Sequence, residues 1–345
     1  MNNCTSTILY YIHHHGSGHL QRAKSLLAAL PEHYQVVLLV ASESMQDKVQ
    51  GTFPTLYCEC LPSKWPADAV PTARTFNRAF EGVAYTPEAG NRAQVFCTLL
   101  LAHKVDVFIS DVSAELTILA RAAGVPCIMQ RHSGNTAIDP TQNYAYECAE
   151  ALFAPYPQVV ENEDFAYQFK THYLGFFSPQ FQAHEPASRR GLTLISTDPA
   201  WVASVLAGLS QVNLPIWVVG CDGPSTSHIH YAGFCQNITK HVPTDIVVCS
   251  GGNNLLSELI IMGKKLIITP EPRPYDEQVV KANRLAQGGY AVMMESQDML
   301  HPSLWQLAIQ HAAKIDISRT SALVNPHAAA QFAALIKDVL CLHSQ

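Results

Sequence analysis

At 345 residues the chain is too long for one ordinary hydrophobic core and fits two domains of common size. Its 48% hydrophobic and 14% charged content reads as globular, and a net charge of −6 leaves no basic footprint for nucleic acid. The ten cysteines are scattered, the closest pair being Cys58 and Cys60, with no zinc-ligand spacing, so reduced thiols in a cytoplasmic protein are expected. No basic-then-apolar leader and no run of eighteen apolar residues occur. No spanning segment is therefore expected, while contact with a membrane surface stays open.

The chain opens as strand, glycine loop, helix. Residues 7–12 (TILYYI) are an apolar run of strand length, His15-Gly16-Ser17-Gly18-His19 is a turn, and 20–30 (LQRAKSLLAAL) has helical spacing before Pro31. A buried strand at 36–40 completes a βαβ unit, which implies parallel pairing and a right-handed crossover. Residues 51–95 are irregular and rich in Pro, Ala and Arg. Helix 92–103, strand 105–110, helix 115–123 and strand 127–130 follow. Periodicity fades from Tyr156 to about Pro186, then alternation restarts with strands at 192–196, 216–219, 246–249 and 265–269, and helices at 201–209, 255–262 and 277–287. The tail 325–340 is amphipathic and opens on Asn-Pro, a helix start. Alternation of this kind predicts an α/β fold of two Rossmann-like halves. The expected division is 1–160, a linker at 161–186, a second domain at 187–324, and a C-terminal helix at 325–345.

Four motifs carry candidate chemistry. In the first loop, Gly16, Ser17 and Gly18 turn the chain at a strand end, and the following helix offers unpaired N–H groups suited to a phosphate. Gln21 stands where a dinucleotide fingerprint needs its third glycine. His19 at the helix mouth fits either a general base or a cap of its own helix. Asp111, just past strand 105–110, fits an N-cap for the helix at Glu115 or, paired with His19, an orienting carboxylate. The third motif is Ser250-Gly251-Gly252-Asn253-Asn254, where a strand empties into a helix and close backbone approach to a diphosphate is allowed; Glu258 follows one turn in, placed to accept from ribose hydroxyls. The fourth is the proline-rich loop 270–278, whose Glu277 and Gln278 have the chemistry to read sugar hydroxyls or, for the acids, to sit at a helix start.

The third and fourth motifs together resemble the donor half of GT-B glycosyltransferases. The likeness is to glycosyltransferase family 28, typified by the lipid-II-forming N-acetylglucosaminyltransferase, and then to the UDP-glycosyltransferases. It rests on S-G-x(5)-S-E from Ser250 to Glu258, with Gly263, Pro270 and Gln278 at the family's spacing, and on G-S-G-H-L at the start. The resemblance implies two domains facing each other across a cleft, with the C-terminal helix crossing back to the N-terminal domain. It implies backbone N–H groups of Ser250–Asn253 on a diphosphate, Glu258 on the ribose, Phe234 near the base, and Glu277 and Gln278 on the donor sugar. His19, oriented by Asp111, would deprotonate the acceptor, giving inversion without a metal. The nucleotide-sugar would be a co-substrate rather than a cofactor, and UDP its expected carrier. Ser250 replaces the family's Arg or His, and Asp198 stands in a loop that is glycine-rich elsewhere in the family.

The acceptor is expected among lipid-linked groups, glycans and small molecules, with residues 60–95, His132 and Asn135 on its side. Two alternatives accompany the transferase reading. A nucleotide-sugar 2-epimerase would need no acceptor, and a degenerate GT-B binding protein would be indifferent to loss of His19.

Overall fold

The computed structural model describes residues 6–13, 18–66, 86–178, 188–235 and 241–343. The chain forms two compact units. The first takes Met1–Pro155, Glu163–Leu174 and Pro326–Gln345, and the second takes Tyr156–Asn162 and Gly175–Asn325.

Among the described residues, the first unit holds strands β1 (Thr7–Tyr11), β2 (Gln35–Val40), β3 (Tyr57–Cys60), β4 (Val107–Ser110), β5 (Cys127–Gln130), β6 (Ala151–Ala154) and β7 (Thr171–Tyr173). They pair in parallel in the order β3-β2-β1-β4-β5-β6-β7. The central strands β1, β4, β5 and β6 are buried along their whole length, as a parallel sheet covered on both faces requires. Helices α1 (Gly18–Leu27), α2 (Glu43–Thr52), α3 (Pro87–Ala102), α4 (Ala114–Ala122) and α5 (Pro140–Cys148) make the crossovers. Within the stretch read as a linker, β7 joins the sheet edge; three residues are too few to show a period. A core of Leu9, Val37, Leu39, Phe96, Phe108 and Leu116 fills one face of this sheet.

The second unit repeats the plan with β8 (Leu192–Ile195), β9 (Ile216–Val219), β10 (Ile229–Gly233), β11 (Ile246–Cys249), β12 (Lys265–Ile268) and β13 (Val292–Met293), in the order β10-β9-β8-β11-β12-β13. Its helices are α6 (Pro199–Gly208), α7 (Asn253–Ile261), α8 (Glu277–Gln287), α9 (Pro302–Ala313) and α10 (Ile317–Ser321). Trp305 of α9 is fully buried and donates its indole N–H to the Met299 carbonyl at 2.7 Å, which satisfies the polar edge of a large core side chain.

The last helix, α11 (Ala328–Leu342), belongs to the first unit. Its Phe332 is fully buried, with ring centroids 6.4 Å from Tyr10 and 4.8 Å from Phe153. Among the described residues no helix is long and apolar enough to cross a membrane.

Strand order decides where ligands can sit. In an open parallel sheet, connections leave in opposite directions at a switch point, and a crevice opens beyond the carboxyl ends of the two strands there. In the first sheet those strands are β1 and β4, in the second β8 and β11.

Candidate functional site

His19 follows β1 and Asp111 follows β4, so the first switch point brings together two residues 92 apart in sequence. The imidazole Nδ1 lies 2.7 Å from Asp111 Oδ2. Asp111 is fully buried and the His19 side chain keeps 19% of its surface. A third residue joins them. Arg22, one turn along α1, places Nη2 at 2.8 Å from His19 Nδ1 and 3.4 Å from Asp111 Oδ1. Burial alone would raise the Asp111 carboxyl; the charges of His19, Arg22 and His13 and the His19 hydrogen bond hold it well below the usual carboxylate range. Two groups face Nδ1: Arg22 can only donate to it, and the ionised carboxylate can only accept from it. The tautomer with its proton on Nδ1, directed at the closer Asp111 Oδ2, is the one that leaves Nε2 as an acceptor.

Asp111 is not an N-cap: Ser113 caps α4, its hydroxyl accepting from the Leu116 N–H at 3.4 Å. The chain reaches that cap through Val112, whose φ of 60° is left-handed. A β-branched residue there is strained, and such strain collects at functional positions. Tyr10 is buried, and its hydroxyl has no partner among the described residues; burial first, and then the Asp111 charge, keep that phenol neutral. The His13 ring lies 5.2 Å from His19, centroid to centroid.

Gly18 is the first residue of α1, while Gly16 and Ser17 lie outside the described residues. His132 and Asn135 follow β5, at the same edge of the sheet. His132 is half-buried with Nδ1 3.0 Å from the Ser133 carbonyl, and Asn135 is exposed. Of the stretch 60–95, residues 67–85 also lie outside the described residues.

The second switch point is built from β11, the loop Ser250-Gly251-Gly252 and α7. Gly252 is the N-cap of α7 and supplies no side-chain cap. A Cβ on Gly252 would meet nothing within 4 Å, whereas one on Gly251 would press on Gln278 Cβ at 3.0 Å. Gln278 is buried, and its Oε1 accepts from the N–H groups of Gly251 and Glu271, both at 2.9 Å. One of the loop donors expected on a diphosphate is therefore held by Gln278, and the carbonyl end of Gln278 ties β11 to the loop after β12. Three residues on, buried Lys281 donates from Nζ to the Gly251 carbonyl at 3.0 Å.

Asn253 and Asn254 open α7 half-exposed, and the Asn253 Oδ1 is buried without a partner among the described residues. Glu258 lies one turn further, and burial raises its carboxyl above the usual value. Glu277 starts α8 after two successive left-handed residues, Tyr275 (φ 59°) and Asp276 (φ 52°), a strained entry to the helix. Asp198, beside this loop at the end of β8, caps α6 by accepting from the Ala200 N–H at 2.8 Å. Its charge thus serves its own helix. Phe234 follows β10 and is 73% exposed.

Sequence reading missed Arg22 and Lys281. The usable signal was helical spacing: each lies three residues from a singled-out residue, His19 or Gln278, hence on the same helix face. Val112 carried no signal at all.

No protein-family model and no curated protein sequence matches the chain. Solved structures do. MurG of Acinetobacter baumannii matches with a TM-score of 0.69 at 16% identity, over 96% of this chain and 99% of that one. The glycotransferase of kitacinnamycin gives 0.68 at 16% identity over 97% and 99%. The spinosyn rhamnosyltransferase SpnG, complexed with thymidine diphosphate, gives 0.67 at 16% identity over 96% and 99%. The chain thus has the GT-B fold over nearly its whole length.

Proposed function

We propose that the protein is a glycosyltransferase that moves a sugar from a nucleoside-diphosphate donor to an acceptor hydroxyl with inversion and without a metal ion. The carrying observation is the buried, ionised Asp111 holding His19 by Nδ1 at a switch point, which leaves Nε2 as a base. In the proposed step the acceptor O–H gives its proton to Nε2 and its oxygen attacks the anomeric carbon. The bond from that carbon to the diphosphate oxygen breaks, and the electron pair leaves with the diphosphate. Negative charge gathering there meets the N-terminus of α7, whose aligned peptide dipoles favour it. Glu258 takes the ribose hydroxyls, which replace the hydration its carboxylate loses in the fold.

The thymidine diphosphate in SpnG makes TDP a carrier to test beside UDP. The experiment is a thermal-shift panel of UDP, TDP, GDP and CDP in excess chelator, followed by donor-sugar turnover with the carrier that binds. One diphosphate is expected to raise the melting temperature by mass action, and its sugar to be consumed with release of the free diphosphate. No shift with any of the four overturns the reading. Sugar isomerisation without an acceptor would mark an epimerase, and binding without turnover a binding protein.

A further inference from the structure

The loop Ser250-Gly251-Gly252-Asn253-Asn254 contains no charged side chain, although the proposed ligand carries at least two negative charges. A cation is nevertheless built into the loop from beneath. Lys281 of α8 is 1% exposed and donates from Nζ to the Gly251 carbonyl at 3.0 Å. That carbonyl belongs to the peptide whose other end is the Gly252 N–H. Among the described residues this N–H has no acceptor, and the space over Gly252 is open. On the preceding peptide, by contrast, the Gly251 N–H is closed off by Gln278 Oε1 at 2.9 Å. Two side chains one turn apart on α8 therefore sort the loop: one blocks the first donor, the other pulls electron density away from the second.

We propose that Lys281 supplies the positive charge of the diphosphate site, acting through the Gly251–Gly252 peptide. This rests on the donor reading above. Lys281 is a positioning residue, since it touches the peptide and not the ligand. An ammonium on a carbonyl oxygen polarises the whole peptide unit, so the N–H opposite becomes a stronger donor to an anion. Burial weakens solvent screening of the charge.

The test is calorimetric titration of the full chain with UDP, TDP, GDP and CDP, comparing wild type, Lys281→Met, Lys281→Gln and Lys281→Arg, each checked for a cooperative melt. Lys281→Gln removes the charge and keeps an N–H donor on a side chain one bond shorter, so it stands in if Lys281→Met fails to fold. Diphosphate affinity is expected to fall about tenfold or more in the Met and Gln variants and to return within about threefold of wild type in Lys281→Arg. In turnover the loss should appear in KM for the donor as well as in kcat, because the charge acts on bound diphosphate and on leaving diphosphate alike. A folded Lys281→Gln that binds diphosphate as wild type does overturns the proposal while leaving the donor site intact. Failure of the wild type to bind any of the four diphosphates removes the donor site itself.

Discussion

Asp111 is buried yet ionised, and the cost of that arrangement is met by His19, Arg22 and the His13 backbone N–H, the last at 3.5 Å. Its folded pKa lies below the unfolded one, so its stabilising contribution is fully present above the ordinary carboxylate range and is lost as pH falls through the lower folded value. Asp111→Asn should therefore melt well below wild type at pH 7, with the gap narrowing on acidification; calorimetry from pH 7 to pH 3 checks it, and a constant gap would contradict the assignment. His19→Asn is expected to lower kcat by about 10²–10⁴ and to lower the melting temperature at pH 7 as well, since it removes the base and one of the groups that hold Asp111 ionised. Glu258 has the opposite sign. Burial raises its carboxyl, so holding it ionised costs stability, and that cost appears as pH rises through the raised value. Glu258→Gln should melt slightly higher than wild type at pH 8 and equal to it at pH 3, while nucleotide affinity falls about tenfold. A variant both more stable and weaker in binding would identify a carboxylate placed for the ligand.

At the scale of elements, the fully buried parallel strands were the legible part. Residues 7–12 and 246–249 are mainly apolar runs, and 105–110 is one interrupted by Asp106 and closed by Ser110; β1, β11 and β4 fall within them. Some of the elements that were missed have a thin pattern, although α9, with Trp305, Ala308 and Ala312 at helical spacing, was missed too. β3 reads YCEC and leaves Tyr57 56% exposed, as an edge strand does, and α2 buries only Met45 and Val49 of ten residues. β6 is four residues, ALFA, too short for any period. In the candidate site, positions that depend on residue type were readable: a histidine at a helix mouth, glycines before a helix, an acid one turn in. What a side chain bonds to was not, because Gln278 could equally face solvent, sugar or backbone until β12 and α8 were folded against β11. Helix α11 gives the sharpest packing test. Phe332→Ala removes a fully buried ring lodged between Tyr10 and Phe153 and should cost about 3–5 kcal/mol in denaturant unfolding.

At the scale of the whole molecule, the chain leaves the first unit, builds most of the second over Gly175–Asn325, and returns to the first with Pro326 and α11. The second unit is contiguous but for Tyr156–Asn162, whereas the first is closed by a segment separated from it by that entire excursion. Synthesis runs in one direction. At about 5–20 residues per second, on the order of ten to thirty seconds pass between emergence of the first sheet and of the helix that covers Tyr10 and Phe153. During that interval the second unit has every strand it needs, and the first presents an uncovered aromatic face. The half of the molecule made first is thus the half finished last, and its dependence on cellular chaperones should concentrate on that face rather than on the later unit.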